Sequence, residues 1–138
     1  MSARSLVSLW LPPFVLMAVI FLLSAQPDLN SGLGVIDTIG RKLVHAGEYA
    51  LLCVLWWRAL RTVVRPRAAL VVAVALALAY AATDEVHQTF VHGRHGTPID
   101  VLIDAAGAIV AAVFLRRRQE RARRGRAERV GATASRAA

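Results

Sequence analysis

Ten residues of this chain have the types and spacing for chemistry. Lys42, His45 and Tyr49 recur at i, i+3 and i+7, with Glu48 beside Tyr49. Asp84 and Gln88 are four apart, and Glu85 is three before Gln88. Asp100 and Asp104 are four apart, and Arg94 lies between the two acidic groups. Each spacing puts its members on one face of a helix. Five acids (Glu48, Asp84, Glu85, Asp100, Asp104) then meet two cations, Lys42 and Arg94. In a poorly hydrated site such a group cannot stay fully ionised: some acids are protonated, or His45 is charged, or a cation is bound.

Three kinds of chemistry follow. In the first, Lys42, His45 and Arg94 donate to a polar or anionic head group of a lipid-linked or cell-envelope molecule, with Glu48, Tyr49, Gln88, Asp100 and Asp104 completing the binding site. If that molecule reacts, His45 with Asp84 or Glu85 is the acid–base set. In the second, the carboxylates and His45 form the proton or cation site of a small carrier. In the third, His45 and acids hold a metal with His87, His92 or His95. His92-x-x-His95 is not a strong ligand signature, so no metal ligand and no cofactor is assigned. Structural roles compete at several positions. An Arg94–Asp100 ion pair can fix helix register, Tyr49 can make an interhelical hydrogen bond, and Gly107 can simply allow close packing.

The elements that must position these groups are apolar. The chain has 138 residues, is 57% hydrophobic, and has a mean hydropathy of +0.50. That is too apolar for a soluble domain of this size and too short for two domains. An all-α, four-helix membrane bundle is expected, its spans at Leu6 to Ala25, Leu43 to Leu60, Ala68 to Phe90 and Ile99 to Leu115. The first is read as an uncleaved helix, because Leu23-Ser24-Ala25 is a poor small-x-small cleavage site. Pro12 and Pro13 should kink it or delay its regular start. The stretch 26–40 reads as a polar loop, with Asp37-Thr38 capping a short lead-in to the second helix. Trp56 and Trp57 fit an interfacial aromatic belt. Cys53 is the lone cysteine, so no intrachain disulfide can form.

Net charge is +8, and Lys42 is the only lysine among 17 basic residues. Arg58, Arg61, Arg65 and Arg67 cluster between the second and third helices, and more arginines follow Leu115. This asymmetry places both termini in the cytoplasm and the polar cluster outside. Beside membrane spans, the basic tail serves as a topology signal and an anionic-lipid contact, and no nucleic acid is expected as a partner. The expected organisation is a transmembrane domain over 1–118 and a basic cytoplasmic tail over 119–138, the first part after Arg116 able to continue the fourth helix and the end without regular structure. On this topology Glu48 and Asp84 lie about 9–10 Å down their helices from the outer side, and Asp104 about 6–8 Å down. Charged groups cost about 2.5–3.5 kcal/mol each in hydrocarbon, so convergence is the economical way to satisfy them.

Five motifs occur in order: Phe21-Leu-Leu-Ser-Ala-Gln-Pro27, Lys42-x-x-His45 with Glu48-Tyr49, Asp84-Glu85-x-x-Gln88, Gly93-Arg94, and Asp100-x-x-x-Asp104-x-x-Gly107. Together, over roughly 15–115, they resemble the VanZ-like family of small bacterial membrane proteins. The resemblance implies a four-helix integral membrane protein, and its namesake is associated with low-level resistance to the glycopeptide teicoplanin. It names a family rather than a reaction. The resemblance departs at one place: the family pattern usually carries Asn where this chain has Asp104. A structural accessory subunit of a membrane complex is a further possibility beside a binding protein, an enzyme and a carrier.

Overall fold

The computed structural model describes residues 3–26, 35–94 and 96–137. They form four helices: α1 (Ala3–Ser24), α2 (Val35–Leu60), α3 (Pro66–Gln88) and α4 (Pro98–Ala137). No strand occurs among the described residues. Three helices contain spans long and apolar enough to cross a membrane: Ser5–Ser24, Pro66–Gln88 and Pro98–Arg129. With 26 residues, α2 is about 39 Å long, but its N-terminal 14 residues carry Arg41, Lys42 and Glu48 and are not uniformly apolar.

The helices pack along stripes of small or apolar residues. On α3, Ala69, Ala73, Ala77 and Ala81 are all fully buried at four-residue intervals. Such small-xxx-small stripes let backbones approach closely where lipid supplies no hydrophobic drive. On α4 the stripe is Asp104, Ala108, Ala111 and Leu115, and on α2 it is Tyr49, Leu52, Cys53, Trp56 and Ala59. α1 contributes Pro13, Ile20 and Ser24. Outward-facing Phe14, Leu22, Val71, Leu102 and Val110 are each more than half exposed, which is what a lipid-facing surface requires. The stripes change character together at one end. Apolar packing there gives way to Ser24, Asp84, Glu85, Gln88 and Asp104, all buried.

α1 is continuous across Pro12 and Pro13, with no delayed start. Pro12 cannot donate to the carbonyl of Ser8, four residues earlier. Arg58 of α2 fills that place, its Nη2 donating to Ser8 O at 2.8 Å. Trp56 also departs from expectation. It is buried, with Trp10 and Phe14 packed edge-on at 6.3 and 5.2 Å, and so serves the α1–α2 contact rather than a head-group belt. Trp57 does carry a cation, with Arg61 lying 5.0 Å over its ring.

Two boundaries differ from the sequence reading. The lead-in to the second helix is part of α2 from Val35 onward, while the loop residues 27–34 lie outside the described residues. The tail, its end expected to lack regular structure, continues α4 as far as Ala137. Its Arg, Ala, Glu and Gln content favours helix, no Pro interrupts it, and Arg116 pairs with Glu120 one turn on at 3.0 Å. At 40 residues α4 is about 60 Å long, so its end must project well beyond a bilayer of about 40–45 Å.

Candidate functional site

The polar end of the bundle contains a cavity of about 270 Å³. Arg41, Lys42 and His45 reach it from α2, and Glu85 and Gln88 from α3. Asp100, Ile103 and Asp104 line it from α4, with Gly93 and Arg94 from the α3–α4 turn. Seven of the ten residues singled out by type and spacing therefore share one wall. The three others do not line it. Asp84 lies behind that wall, 2% exposed. Its Oδ2 accepts hydrogen bonds from Ser24 Oγ at 2.7 Å and Gln88 Nε2 at 3.1 Å. Tyr49 is fully buried, its ring 6.3 Å from that of Tyr80. Glu48 is partly buried and makes no hydrogen bond or ion pair among the described residues.

The start of α4 explains how the wall is held. Thr97-Pro98-Ile99-Asp100 is a capping sequence with Pro at the first helical position. Asp100 N–H donates to Thr97 Oγ1 at 3.3 Å, and Thr97 Oγ1 donates to Asp100 Oδ2 at 2.7 Å. The Thr97 N–H goes to Glu85 Oε2 of α3 at 3.0 Å, so the cap of one helix is tied to the side of another. Gly96 makes this possible. A Cβ there would run into the Glu85 backbone carbonyl and its carboxylate. Gly93, with φ 78°, occupies the third position of a turn closed by Arg94 N–H to Val91 O at 3.1 Å, a place that favours glycine.

The expected Arg94–Asp100 pair is replaced by two other interactions. Lys42 Nζ donates to Asp100 Oδ1 at 2.5 Å. Arg94 turns to the end of α1, donating from Nε to Gln26 O at 2.9 Å and from Nη2 to Leu23 O at 3.2 Å. Both carbonyls lie at the C-terminal end of α1, where a cation suits the helix dipole; Leu23 O also accepts from Gln26 N–H at 3.2 Å. Lys42, one turn before His45, is left as the nearest cation to Asp100.

His45 and Asp104 remain uncommitted. His45 Nδ1 is 3.9 Å from Asp104 Oδ1, too far for a direct hydrogen bond. Both Asp104 oxygens are buried without a hydrogen-bond partner among the described residues. The cavity thus presents cations at its rim and an unpaired His–carboxylate couple in its wall.

A family model described as VanZ/LLP1 matches residues 3–119. The chain belongs to the VanZ/LLP1 family. No curated protein and no solved structure matches it. The VanZ-like motifs correspond to physical parts of the site. Ser24 of the Phe21–Pro27 motif is the buried donor to Asp84, Gly93-Arg94 is the turn that closes α1, and Gly107 lies where α4 touches α2.

Sequence reasoning missed Arg41, Ser24 and Thr97. Thr97 had a legible signal in its T-P-x-D cap. Ser24 had none in its own helix, since its partners are 60 and 64 residues away. Among the described residues no group of three His, Cys, Asp or Glu side chains is placed to hold a metal. His87 stacks on Phe21 at 4.3 Å between ring centres, and His92 is exposed. His95 lies outside the described residues.

Proposed function

We propose that this multi-pass membrane protein uses the cavity to bind the polar or anionic head group of a cell-envelope component. The observation that carries the reading is the cavity's composition. Arg41, Lys42 and Arg94 are at the rim, and His45 and Asp104 stand uncommitted in the wall. Cationic donors suit phosphate or carboxylate, and a membrane position suits a lipid-linked ligand. If the ligand reacts, His45 is the proton-transfer group, because Asp84 lies behind the wall and one Glu85 oxygen is engaged by Thr97. Membership of the VanZ/LLP1 family extends the proposal to tolerance of glycopeptide-type antibiotics. A proton or cation carrier is less favoured, because fully buried Leu52, Cys53, Ala77 and Ala108 fill the bundle beyond the polar layer.

The direct test is to purify the full chain in neutral detergent, expose it to an envelope lipid extract, and identify retained or altered species by mass spectrometry. The unaltered protein should enrich one head-group class, and Lys42→Gln/His45→Gln should lose that enrichment by roughly tenfold, the worth of one charge-assisted hydrogen bond. Identical lipid profiles for both proteins would remove the proposal. Proton flux in sealed liposomes, abolished by the same variant, would replace it with the carrier.

The orientation carries its own prediction. In a Cys53→Ala background, a cysteine at exposed His92 should react with a membrane-impermeant thiol reagent in intact cells stripped of their wall. One at exposed Val63 should react only after lysis. The reverse pattern would put the cavity on the cytoplasmic side and contradict the positive-inside argument.

A further inference from the structure

The opposite end of the bundle holds a second cavity, of about 360 Å³, between the start of α3 and α4 beyond Leu115. Arg67, Arg116 and Arg123 line it with Gln119 and Glu120, and Leu70 and Val71 form its apolar side. The single acid is already engaged, since Glu120 Oε1 accepts from Arg116 Nε at 3.0 Å. Among the described residues Arg67 and Arg123 make no hydrogen bond or ion pair, and the buried Gln119 amide nitrogen has no partner. α3 also begins here. Its N-cap Arg65 gives no side-chain cap and Pro66 has no N–H, so the Arg67 and Ala68 amides of the first turn add donors and a positive helix end.

The depth of this cavity matches its chemistry. Sixteen residues separate Asp100 from Arg116, about 24 Å of helix, so the two cavities stand near opposite faces of a hydrocarbon core of about 30 Å. The guanidinium groups lie where head-group phosphates lie. Beneath them Leu70 is partly buried and Val71 is 70% exposed, a continuous apolar surface for an acyl chain.

We propose that this cavity binds an anionic phospholipid, its phosphate held by Arg67 and Arg123 with Gln119 as a further donor, and its acyl chain laid along Leu70 and Val71. Two guanidinium groups with free donor edges suit a phosphate better than point charges would. The adjoining apolar surface selects a lipid over free phosphate. The site is separate from the outer cavity and does not depend on what that cavity binds.

The test uses the full chain in neutral detergent, titrated with phosphatidylglycerol, with phosphatidylcholine and with inorganic phosphate. Bound lipid is counted by native mass spectrometry. Phosphatidylglycerol should occupy one site in preference to phosphatidylcholine, and millimolar phosphate should not displace it. Arg67→Gln/Arg123→Gln should weaken that site roughly ten- to thirty-fold, as expected for two basic residues at a membrane surface. Arg121→Gln/Arg124→Gln removes the same total charge from α4 at positions that do not line the cavity and should change it less than about threefold. Equal binding of the two lipids by the unaltered protein would overturn the proposal, whatever the variants do. So would equal losses in the two double variants, which would mean diffuse charge attraction. Displacement by phosphate alone would mark the cavity as a site for the free ion.

Discussion

Gly107→Ala should destabilise the bundle by about 3 kcal/mol or more, while Gly47→Ala should be neutral or stabilising by up to about 1 kcal/mol. Both glycines are inside helices, so propensity alone favours Ala at each. Their surroundings differ. A Cβ on Gly107 would run into the carbonyl oxygen of Ala46 and come within 2.7 Å of its carbonyl carbon. The obstacle is the backbone of α2, which cannot rotate away as a side chain can. Relief requires α2 and α4 to separate, and that pair makes the most extensive helix–helix contact in the protein. Overpacking typically costs about 1–3 kcal/mol when side chains can adjust, so a backbone obstacle belongs at or above the top of that range. A Cβ on Gly47 meets nothing within 4 Å. The check is thermal unfolding of both variants in the same detergent, followed by elution profile and helical signal. Gly107→Ala melting with the unaltered protein would show that the two helices do not approach this closely. A shared loss in both variants would point to a general intolerance of Ala in these helices.

The part of the fold legible in sequence was the part governed by length and hydropathy. Spans of about 20 apolar residues announce membrane helices, and the Ala periodicity of α3 announces close packing. Convergence of Lys42, His45, Gln88, Asp100 and Asp104 was legible too, because helical spacing fixes faces and span length fixes depth. The partners were not. Lys42 and Arg94 are both cations near Asp100 along the depth axis, and only the rotation of α2 and the course of the turn decide which of them reaches it. Arg94 is drawn to backbone carbonyls at the end of α1, which no side-chain pattern reveals. Asp84 looked like a reactive acid by type, but Ser24, on another helix, turns it into an anchored one. The end of the tail continues as helix because Arg, Glu and Ala form helix readily when water is available to the charges.

Asp100→Asn should be damaging and Asp104→Asn tolerated, although the two acids sit one turn apart on the same face. Both carboxylate oxygens of Asp100 are engaged. One oxygen accepts from Lys42 Nζ, and the other accepts from Thr97 Oγ1 at the α4 cap. Asn keeps one acceptor and loses the charge, leaving the Lys42 ammonium without its counter-ion. The pair is partly exposed, with side chains 39% and 29% accessible, so the cost is discounted to about 1–2 kcal/mol. The larger consequence is positional, because Lys42 and the α4 start both form the cavity wall, and ligand retention should fall more than stability does. Asp104 has the opposite arrangement. It is 1% exposed, and neither oxygen accepts a hydrogen bond from a described residue. No anion-specific partner is lost when its charge is removed, and Asn fills nearly the same volume with donor and acceptor capacity like that of a neutral acid. The Asn amide can also turn toward His45, whose Nδ1 is 3.9 Å away. Retention of envelope lipid should therefore stay within about twofold for Asp104→Asn and fall roughly tenfold for Asp100→Asn at matched membrane abundance, the latter matching the loss of a charge-assisted bond. A double-mutant cycle isolates the cause. In a Lys42→Met background, Asp100→Asn should cost less than about 0.5 kcal/mol further, because the interaction it removes is already gone. If Asp104→Asn abolishes retention while Asp100→Asn leaves it intact, Asp104 acts as an ionised ligand or base, and the His45–Asp104 couple rather than the Lys42–Asp100 pair organises the site.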